Sequence, residues 1–186
     1  ETDLDDVIKD CDMFLGLSGP GVLTGKMVLK MNKQPIIFAL ANPDPEINPA
    51  DALKVAPDAL IATGRSDYPN QVNNVLCFPF IFRGALDVGA TQINDEMKLA
   101  CIHAIANLAR QTSTAETVEA YQGEILKFGK EYLIPKPFDP RLLPNVAVAV
   151  AEAAMKSGVA SRPLKDLEVY KQKLEGSVYK STILMK

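Results

Sequence analysis

The chain has 186 residues, of which 47% are hydrophobic, so it can bury the core of a globular protein. Its formal net charge of -3 argues against the broad basic surface that nucleic acid or an anionic membrane would need. No apolar run approaches the roughly 18 residues of a membrane span, and the first residues do not resemble a signal peptide. We therefore expect a cytoplasmic protein with neither nucleic acid nor a membrane as a partner.

Three short apolar runs predict the strands of an α/β fold, at residues 12–17, 35–40 and 60–64. The first of them is typical of a strand that is buried on both faces. Thr24 and Asn48 are placed to cap short helices after the first and second runs. Helices between successive strands favour parallel pairing, so we predict a parallel sheet.

Polar residues follow each predicted strand. Ser18-Gly19 follows the first, Asn42 is held extended before Pro43 after the second, and the polar loop of residues 64–74 follows the third. Parallel strands bring these segments to one edge of the sheet, where open α/β sheets bind their ligands. The alternative is that the loop is an Asx-rich turn whose side chains satisfy its own backbone.

Helices are predicted for the rest of the chain. Asn94 caps the clearest one, which runs through Arg110 and carries the single histidine, His103, for which we expect no catalytic role. The odd number of widely spaced cysteines indicates buried or partly buried thiols rather than a disulfide framework. Four further helices are predicted. One begins at Pro79, and a second begins at a Ser113-x-x-Glu116 capping box and runs to about Tyr132. The last two span residues 146–156 and 166–174.

The glycine-rich run at residues 16–21 lacks the G-x-G-x-x-G spacing, and Pro20 removes an amide donor, so it is a weak phosphate cradle. We expect it to pass beside the sugar or nicotinamide end of a nucleotide instead. Three carboxylates near the strand ends, Asp44, Glu46 and Asp67, are too scattered to make a complete metal site.

The remaining polar groups suit binding better than acid or base chemistry. Side-chain amides both donate and accept hydrogen bonds, as a ligand with hydroxyl and carboxylate groups requires. We favour ligand contact over turn or helix capping for Asn42 and Asn74. For Arg65 and Asp67 we favour an ion pair that braces the loop over contact with a ligand.

Three segments together resemble the C-terminal part of the NAD(P)-binding domain of malic enzymes of the bacterial type. They are FLGLSGPGVLT at residues 14–24, PIIFALANPxPEI at residues 35–47, and ATGRSDYPNQVNN at residues 62–74. The likeness covers nearly the whole chain and continues through FRGALD at residues 82–87 and PFDP at residues 137–140. It implies an α/β fold, with a partial Rossmann-like doubly wound parallel sheet in residues 1–110 and a C-terminal helical extension in residues 111–186.

This resemblance implies oxidative decarboxylation of L-malate to pyruvate and CO2, with NAD or NADP as the cofactor. Asn42, Asn73 and Asn74 would contact malate, and Ser18, Gly19, Asn42 and Asn74 would contact the cofactor. Amide hydrogen bonds would fix the hydroxy acid so that the hydride on its C2 faces the nicotinamide.

The family's dinucleotide fingerprint, its proton-transferring Tyr and Lys, and its Mg or Mn ligands all precede the first residue of this chain. The resemblance therefore assigns no catalytic residue and no metal ligand here, and it predicts that the chain alone does not turn over malate. The sequence begins without Met, which suggests a piece of a longer protein. We expect that protein to be a homo-oligomer; the apolar helix faces at residues 97–108 and 146–155 could form its interface, although we favour an intramolecular core for them. Residues 174–186 are similar to the segment that leads into a phosphotransacetylase-like region in the longer bacterial enzymes.

Two other functions stay open from the sequence alone. One is a non-catalytic nucleotide-binding or assembly module with the same fold. The other is a different nicotinamide enzyme, such as an amino acid dehydrogenase, for which the motif at residues 63–74 would have to be a coincidence.

Overall fold

In a computed structural model, the described part of the chain comprises residues 3–121, 123 and 126–184. The chain divides into two compact units, one of Glu1–Asn73 with Gly129–Tyr132 and one of Asn74–Phe128 with Leu133–Lys186. The division at residue 110 that the sequence suggested rests on the resemblance, and it stays a prediction.

The first unit is built on a three-stranded parallel sheet. Its strands β1 (Met13–Gly16), β2 (Ile36–Ala39) and β3 (Leu60–Thr63) lie in that order across the sheet. Because all three strands run in the same direction, their carboxyl ends lie at one edge. The α/β class and the parallel pairing predicted from the sequence are confirmed.

Short helices α1 (Leu4–Val7), α2 (Gly25–Val28) and α3 (Pro49–Val55) accompany the strands. As predicted, the Thr24 side chain caps α2 by accepting from the backbone N–H of Met27, and the Asn48 side chain caps α3 by accepting from that of Ala50. The core of this unit lies between the helices and one face of the sheet, and its buried residues include Ile8, Phe14, Leu23, Val28, Ile37, Ile47, Ala52 and Ile61.

Strand β1 is not buried on both faces within the described structure, so that prediction is wrong. Phe14 is 8% exposed, whereas Leu15, which points to the opposite face, is 57% exposed. The strand lies at an edge of the sheet, and the helices of this unit pack against the face that carries Phe14.

The second unit is built from helices, in agreement with the sequence. A short 3-10 helix (Asn74–Leu76) leads into α4 (Phe78–Asp87), α5 (Asp95–Arg110) and α6 (Ala115–Ala120), which are followed by α7 (Leu142–Lys156) and α8 (Leu167–Leu184). Helix α7 packs against α4, α5 and α8, and most of its buried residues are small or β-branched. The Asn94 side chain caps α5 as predicted. None of the helices in the described residues could cross a membrane.

Several helix boundaries differ from the predictions. Helix α7 begins at Leu142 instead of at residue 146, and α8 continues to Leu184 instead of ending at residue 174. The Thr114 hydroxyl, rather than Ser113, caps α6 by accepting from the backbone N–H of Thr117, and the helix ends at Ala120 instead of near Tyr132. Gly123, at a φ of +90°, donates its N–H to the carbonyl of Val118, a geometry that ends a helix. Residues 122, 124 and 125, over which that helix was also predicted, lie outside the described residues.

Candidate functional site

The turns after β1 and β2 lie side by side at the carboxyl edge of the sheet. The backbone N–H of Leu40, just after β2, donates to the carbonyl of Gly16 at the end of β1, at 3.0 Å. Ser18 and Gly19 follow two and three residues later on one turn, and Asn42 follows on the other. The structure therefore brings these three predicted site residues to the same edge.

The carboxylate of Glu46 joins these two turns. Its Oε1 accepts from the backbone N–H of Ser18 at 2.8 Å and from the Ser18 hydroxyl at 3.3 Å, and its Oε2 accepts from the backbone N–H of Ala41 at 3.1 Å. Glu46 is 0% exposed. Sequence reasoning considered this residue only as a scattered carboxylate and missed its role as the common acceptor of both turns.

The small size of Gly16 makes room for this carboxylate. A β carbon at Gly16 would lie 2.5 Å from Cδ and 2.6 Å from Oε1 of Glu46. Atoms cannot approach so closely, so a larger residue would displace the carboxylate. Gly16, the first glycine of the run at residues 16–21, is therefore required to make room for Glu46, whether or not the run binds a phosphate.

Glu46 is ionised at neutral pH in spite of its burial. Burial by itself raises the pKa of this carboxyl, but the hydrogen bonds from the backbone of Ser18 and Ala41 and from the Ser18 hydroxyl lower the pKa below its ordinary value of 4.5. A buried carboxylate with donors on both oxygens is a fixed negative charge directly behind the two turns.

The Asn42 and Asn74 side chains are exposed, and neither amide has a hydrogen-bond partner within the described part of the chain. Asn42 lies in the first unit, and Asn74 is the first residue of the second unit. The side-chain amides of Asn42 and Asn74 therefore do not cap a turn or a helix, which was the alternative considered from the sequence. Asn73, the last residue of the first unit's main segment, is half-buried and has a partner.

The loop after β3 is held by Asn70, a buried residue that sequence reasoning did not single out. Its amide nitrogen donates to the carbonyl of Ile61 at 2.9 Å and to that of Lys130 at 2.8 Å. The backbone of Asn70 has a φ of 57°, which asparagine tolerates better than most residues. The loop also returns to the strand, because the N–H of Val72 donates to the carbonyl of Thr63 at 2.8 Å.

Arg65 and Asp67 form the ion pair that the sequence favoured. The guanidinium contacts both carboxylate oxygens of Asp67, at 2.8 Å and 2.7 Å, and lies 3.4 Å from Asp44. Hydrogen bonding to Asp67 raises the pKa of Arg65, and the same contact lowers the pKa of Asp67. The pair is partly exposed, so it braces the loop and adds little to stability.

The edge leaves open space beside Gly19, where the sequence predicted that a nicotinamide and its sugar would pass. A β carbon added at Gly19 would meet nothing within 4 Å, so a flat ring can approach the backbone there. The Asn42 amide, also at this edge, can both donate and accept hydrogen bonds. Among the described residues, no group of three or more His, Cys, Asp or Glu could hold a metal ion.

The other residues considered from the sequence lie in the second unit or far from the strand ends. His103 is exposed on α5. Cys77 and Cys101 are free thiols whose sulfurs lie 3.3 Å apart in the second unit, and Cys11 is a partly buried free thiol in the first. The prediction of buried or partly buried thiols is confirmed.

Comparisons with known proteins agree with the fold. The family model described as malic enzyme, NAD binding domain, matches residues 1–121. The chain is 63% identical to the NADP-dependent malic enzyme of Escherichia coli K12 and 55% identical to the NAD-dependent malic enzyme of Rhizobium meliloti 1021, in both cases over 98% of this chain and 24% of the relative. The crystal structure of a malic enzyme from Pyrococcus horikoshii matches with a TM-score of 0.76 at 40% identity, over 95% of this chain and 36% of that one. The chain thus spans about a quarter of the length of the curated relatives it matches.

Proposed function

The chain belongs to the malic enzyme family, through the NAD binding domain of those enzymes, and from this premise we propose that it supplies contacts to L-malate and to the nicotinamide of NAD or NADP within a longer enzyme. That enzyme would oxidise and decarboxylate malate to pyruvate and CO2. The observation that carries the proposal is the exposed amide of Asn42, which lies at the carboxyl edge of the sheet and has no hydrogen-bond partner within the described residues. The amide of Asn74, in the second unit, is likewise exposed and without a partner there.

The proposed work of these amides is binding and orientation. An amide N–H donates to a carboxylate or to a hydroxyl oxygen, and an amide oxygen accepts from a hydroxyl, so each of Asn42, Asn73 and Asn74 has the groups to bind the hydroxy acid. In this proposal Ser18 and Gly19 would contact the nicotinamide end of the cofactor, and Asn42 and Asn74 would contact the cofactor as well as malate. The bound nicotinamide supplies the acceptor for the hydride on C2 of malate.

Orientation of this kind can account for a large part of a rate enhancement, because two reactants held in the reacting geometry no longer lose freedom in the transition state. Removing one orienting amide should therefore affect kcat as well as KM. The proposal places proton transfer and the Mg²⁺ or Mn²⁺ ligands upstream of this chain, as the family resemblance implies.

The experiment is malate-dependent reduction of NAD and NADP, with Mn²⁺, by the full-length enzyme and by its Asn42→Ala and Asn74→Ala variants. We expect each variant to lose about tenfold or more in kcat/KM for malate, which corresponds to about 1.4 kcal/mol of transition-state stabilisation. Asn42→Asp should be worse than Asn42→Ala, because it replaces a donor with a negative charge that repels the malate carboxylates.

The matched control is Asn107→Ala, the same substitution at an exposed position of α5. If Asn42→Ala and Asn74→Ala behave like Asn107→Ala, the two asparagines do not bind the substrate. An unmodified full-length protein without malate-dependent activity would favour the non-catalytic module instead.

A further inference from the structure

Glu46 is placed to control the geometry of the proposed site although it does not reach its surface. Its side chain is completely buried, so it cannot touch a ligand. Each of its two carboxylate oxygens serves a different turn, Oε1 the turn that carries Ser18 and Oε2 the turn that leads into Asn42. The donors of these bonds lie 28 and 5 residues from Glu46 in the sequence.

We propose that Glu46 is a positioning residue for hydride transfer, because its carboxylate fixes the turn of Ser18 and Gly19 relative to the turn of Asn42. This inference rests on the proposed function of those turns. If the first turn borders the nicotinamide and the second holds malate, the distance between the two reacting carbons depends on how the turns are held together. A displacement of about 1 Å at such a site can cost roughly a hundredfold in rate.

Three features of the contact support positioning over simple packing. Both oxygens accept from backbone N–H groups, so the carboxylate holds the chain itself, and Oε1 accepts from the Ser18 hydroxyl in addition. Hydrogen bonds to a charged acceptor are shorter and stronger than those to a neutral one. Gly16 leaves the space that the carboxylate occupies, so its location is sterically defined.

Glu46→Gln tests this reading because glutamine keeps the size and shape of the side chain. Its amide has one oxygen and one NH2 group, so in either orientation the NH2 faces a backbone N–H of one of the two turns. Packing would survive this substitution, whereas the connection between the turns would be broken on one side.

The experiment measures kcat, both KM values and thermal unfolding of the full-length enzyme and its Glu46→Gln variant. We expect kcat to fall by about tenfold or more while the KM for the nucleotide changes by less than about threefold, since the chain's turns border only its nicotinamide end. The control is Asp51→Asn, which removes an exposed carboxylate from α3 whose partner is Lys54; it should leave all constants unchanged.

Gly16→Ala provides a second, independent perturbation. Its methyl group would clash with the Glu46 carboxylate and with the ring of Phe14 while keeping every charge, so kcat is compared per folded molecule. We expect the same loss of kcat at an unchanged nucleotide KM. If Glu46→Gln lowers only the unfolding temperature, with kcat per folded molecule unchanged, the inference is wrong.

Failure of both variants to fold would also overturn it, because the carboxylate would then hold the unit together and not align its turns. Asn42→Ala separates these outcomes from failure of the proposed function. Normal kinetics in that variant would count against the site itself, whereas an impaired Asn42→Ala with a normal Glu46→Gln would count against the positioning role alone.

Discussion

The Glu46 carboxylate accepts a hydrogen bond from the backbone N–H of Ser18 at 2.8 Å and thereby connects two turns that follow different strands. The ionised form of Glu46 also stabilises the folded protein, because the pKa of this carboxyl in the folded protein lies below its ordinary value of 4.5. The sign follows from the direction of that shift. The stabilisation is complete above the unfolded pKa and is lost as the pH falls through the folded pKa.

We therefore expect the free energy of unfolding of the native protein to fall on acidification below about pH 4.5, with part of that fall absent in Glu46→Gln. Urea unfolding at several pH values between about 7 and about 3 measures the difference between the two proteins. That difference should shrink as the pH falls. A difference that is constant with pH would show that the glutamate contributes through packing instead of through its charge.

Asn70 should be the residue whose loss most weakens the loop after β3. In Asn70→Ala the buried carbonyl of Ile61 and that of Lys130 lose their donor, and alanine must adopt a φ of 57°. Two lost hydrogen bonds and the strained backbone together should cost about 2 to 4 kcal/mol in the free energy of unfolding.

Asn70→Gly separates the two causes, because glycine adopts this backbone conformation freely but also lacks the donor. We expect it to be about 1 kcal/mol more stable than Asn70→Ala and still less stable than the native protein. Chemical denaturation of the three proteins provides the comparison. Equal stability of Asn70→Gly and the native protein would mean that the two hydrogen bonds contribute nothing.

Glu46 and Asn70 show which contacts could not be predicted from the sequence. The caps at Thr24, Asn48 and Asn94 were predictable because a cap and its N–H lie within three residues of each other. Glu46 and Asn70 bind backbone groups up to 28 and 60 residues away, and nothing local distinguishes Glu46 from the exposed Asp44. The three strands and their parallel order were predictable from apolar runs and intervening helices, whereas the exposure of one face of β1 depends on which helices cover the sheet.

Gly84 should tolerate no side chain, because α4 and α7 approach each other closely there. A β carbon at this position would lie 2.4 Å from the carbonyl oxygen of Ala147 and 2.9 Å from Cβ of Val150. A glycine within an apolar helix is the sequence signal for such a contact. We expect Gly84→Ala to lower the free energy of unfolding by about 1 to 3 kcal/mol, because the helices must move apart.

Gly176→Ala is the matched control for that substitution. Gly176 lies within α8, and a β carbon there would meet nothing within 4 Å. Alanine favours a helix over glycine by about 1 kcal/mol, so this variant should be slightly more stable than the native protein. Thermal unfolding of both variants measures the two effects, and a Gly84→Ala protein as stable as Gly176→Ala would contradict the close approach of α4 and α7.

The thiols should react with alkylating reagents in an order set by burial and pKa. Burial, together with the hydrogen bond to Cys77, raises the pKa of Cys101 to about 12, and the residue is 1% exposed. Because the thiolate is the reactive form, Cys101 should be almost inert at about pH 8 in the folded protein, whereas the partly exposed Cys11 should react readily.

Iodoacetamide labelling followed by peptide mass spectrometry measures each site, with the urea-unfolded protein as the reference for full reactivity. Labelling of Cys101 in urea but not in buffer would show that the helices around it exclude the reagent, and equal labelling of Cys11 and Cys101 in buffer would show that α5 is not packed as described.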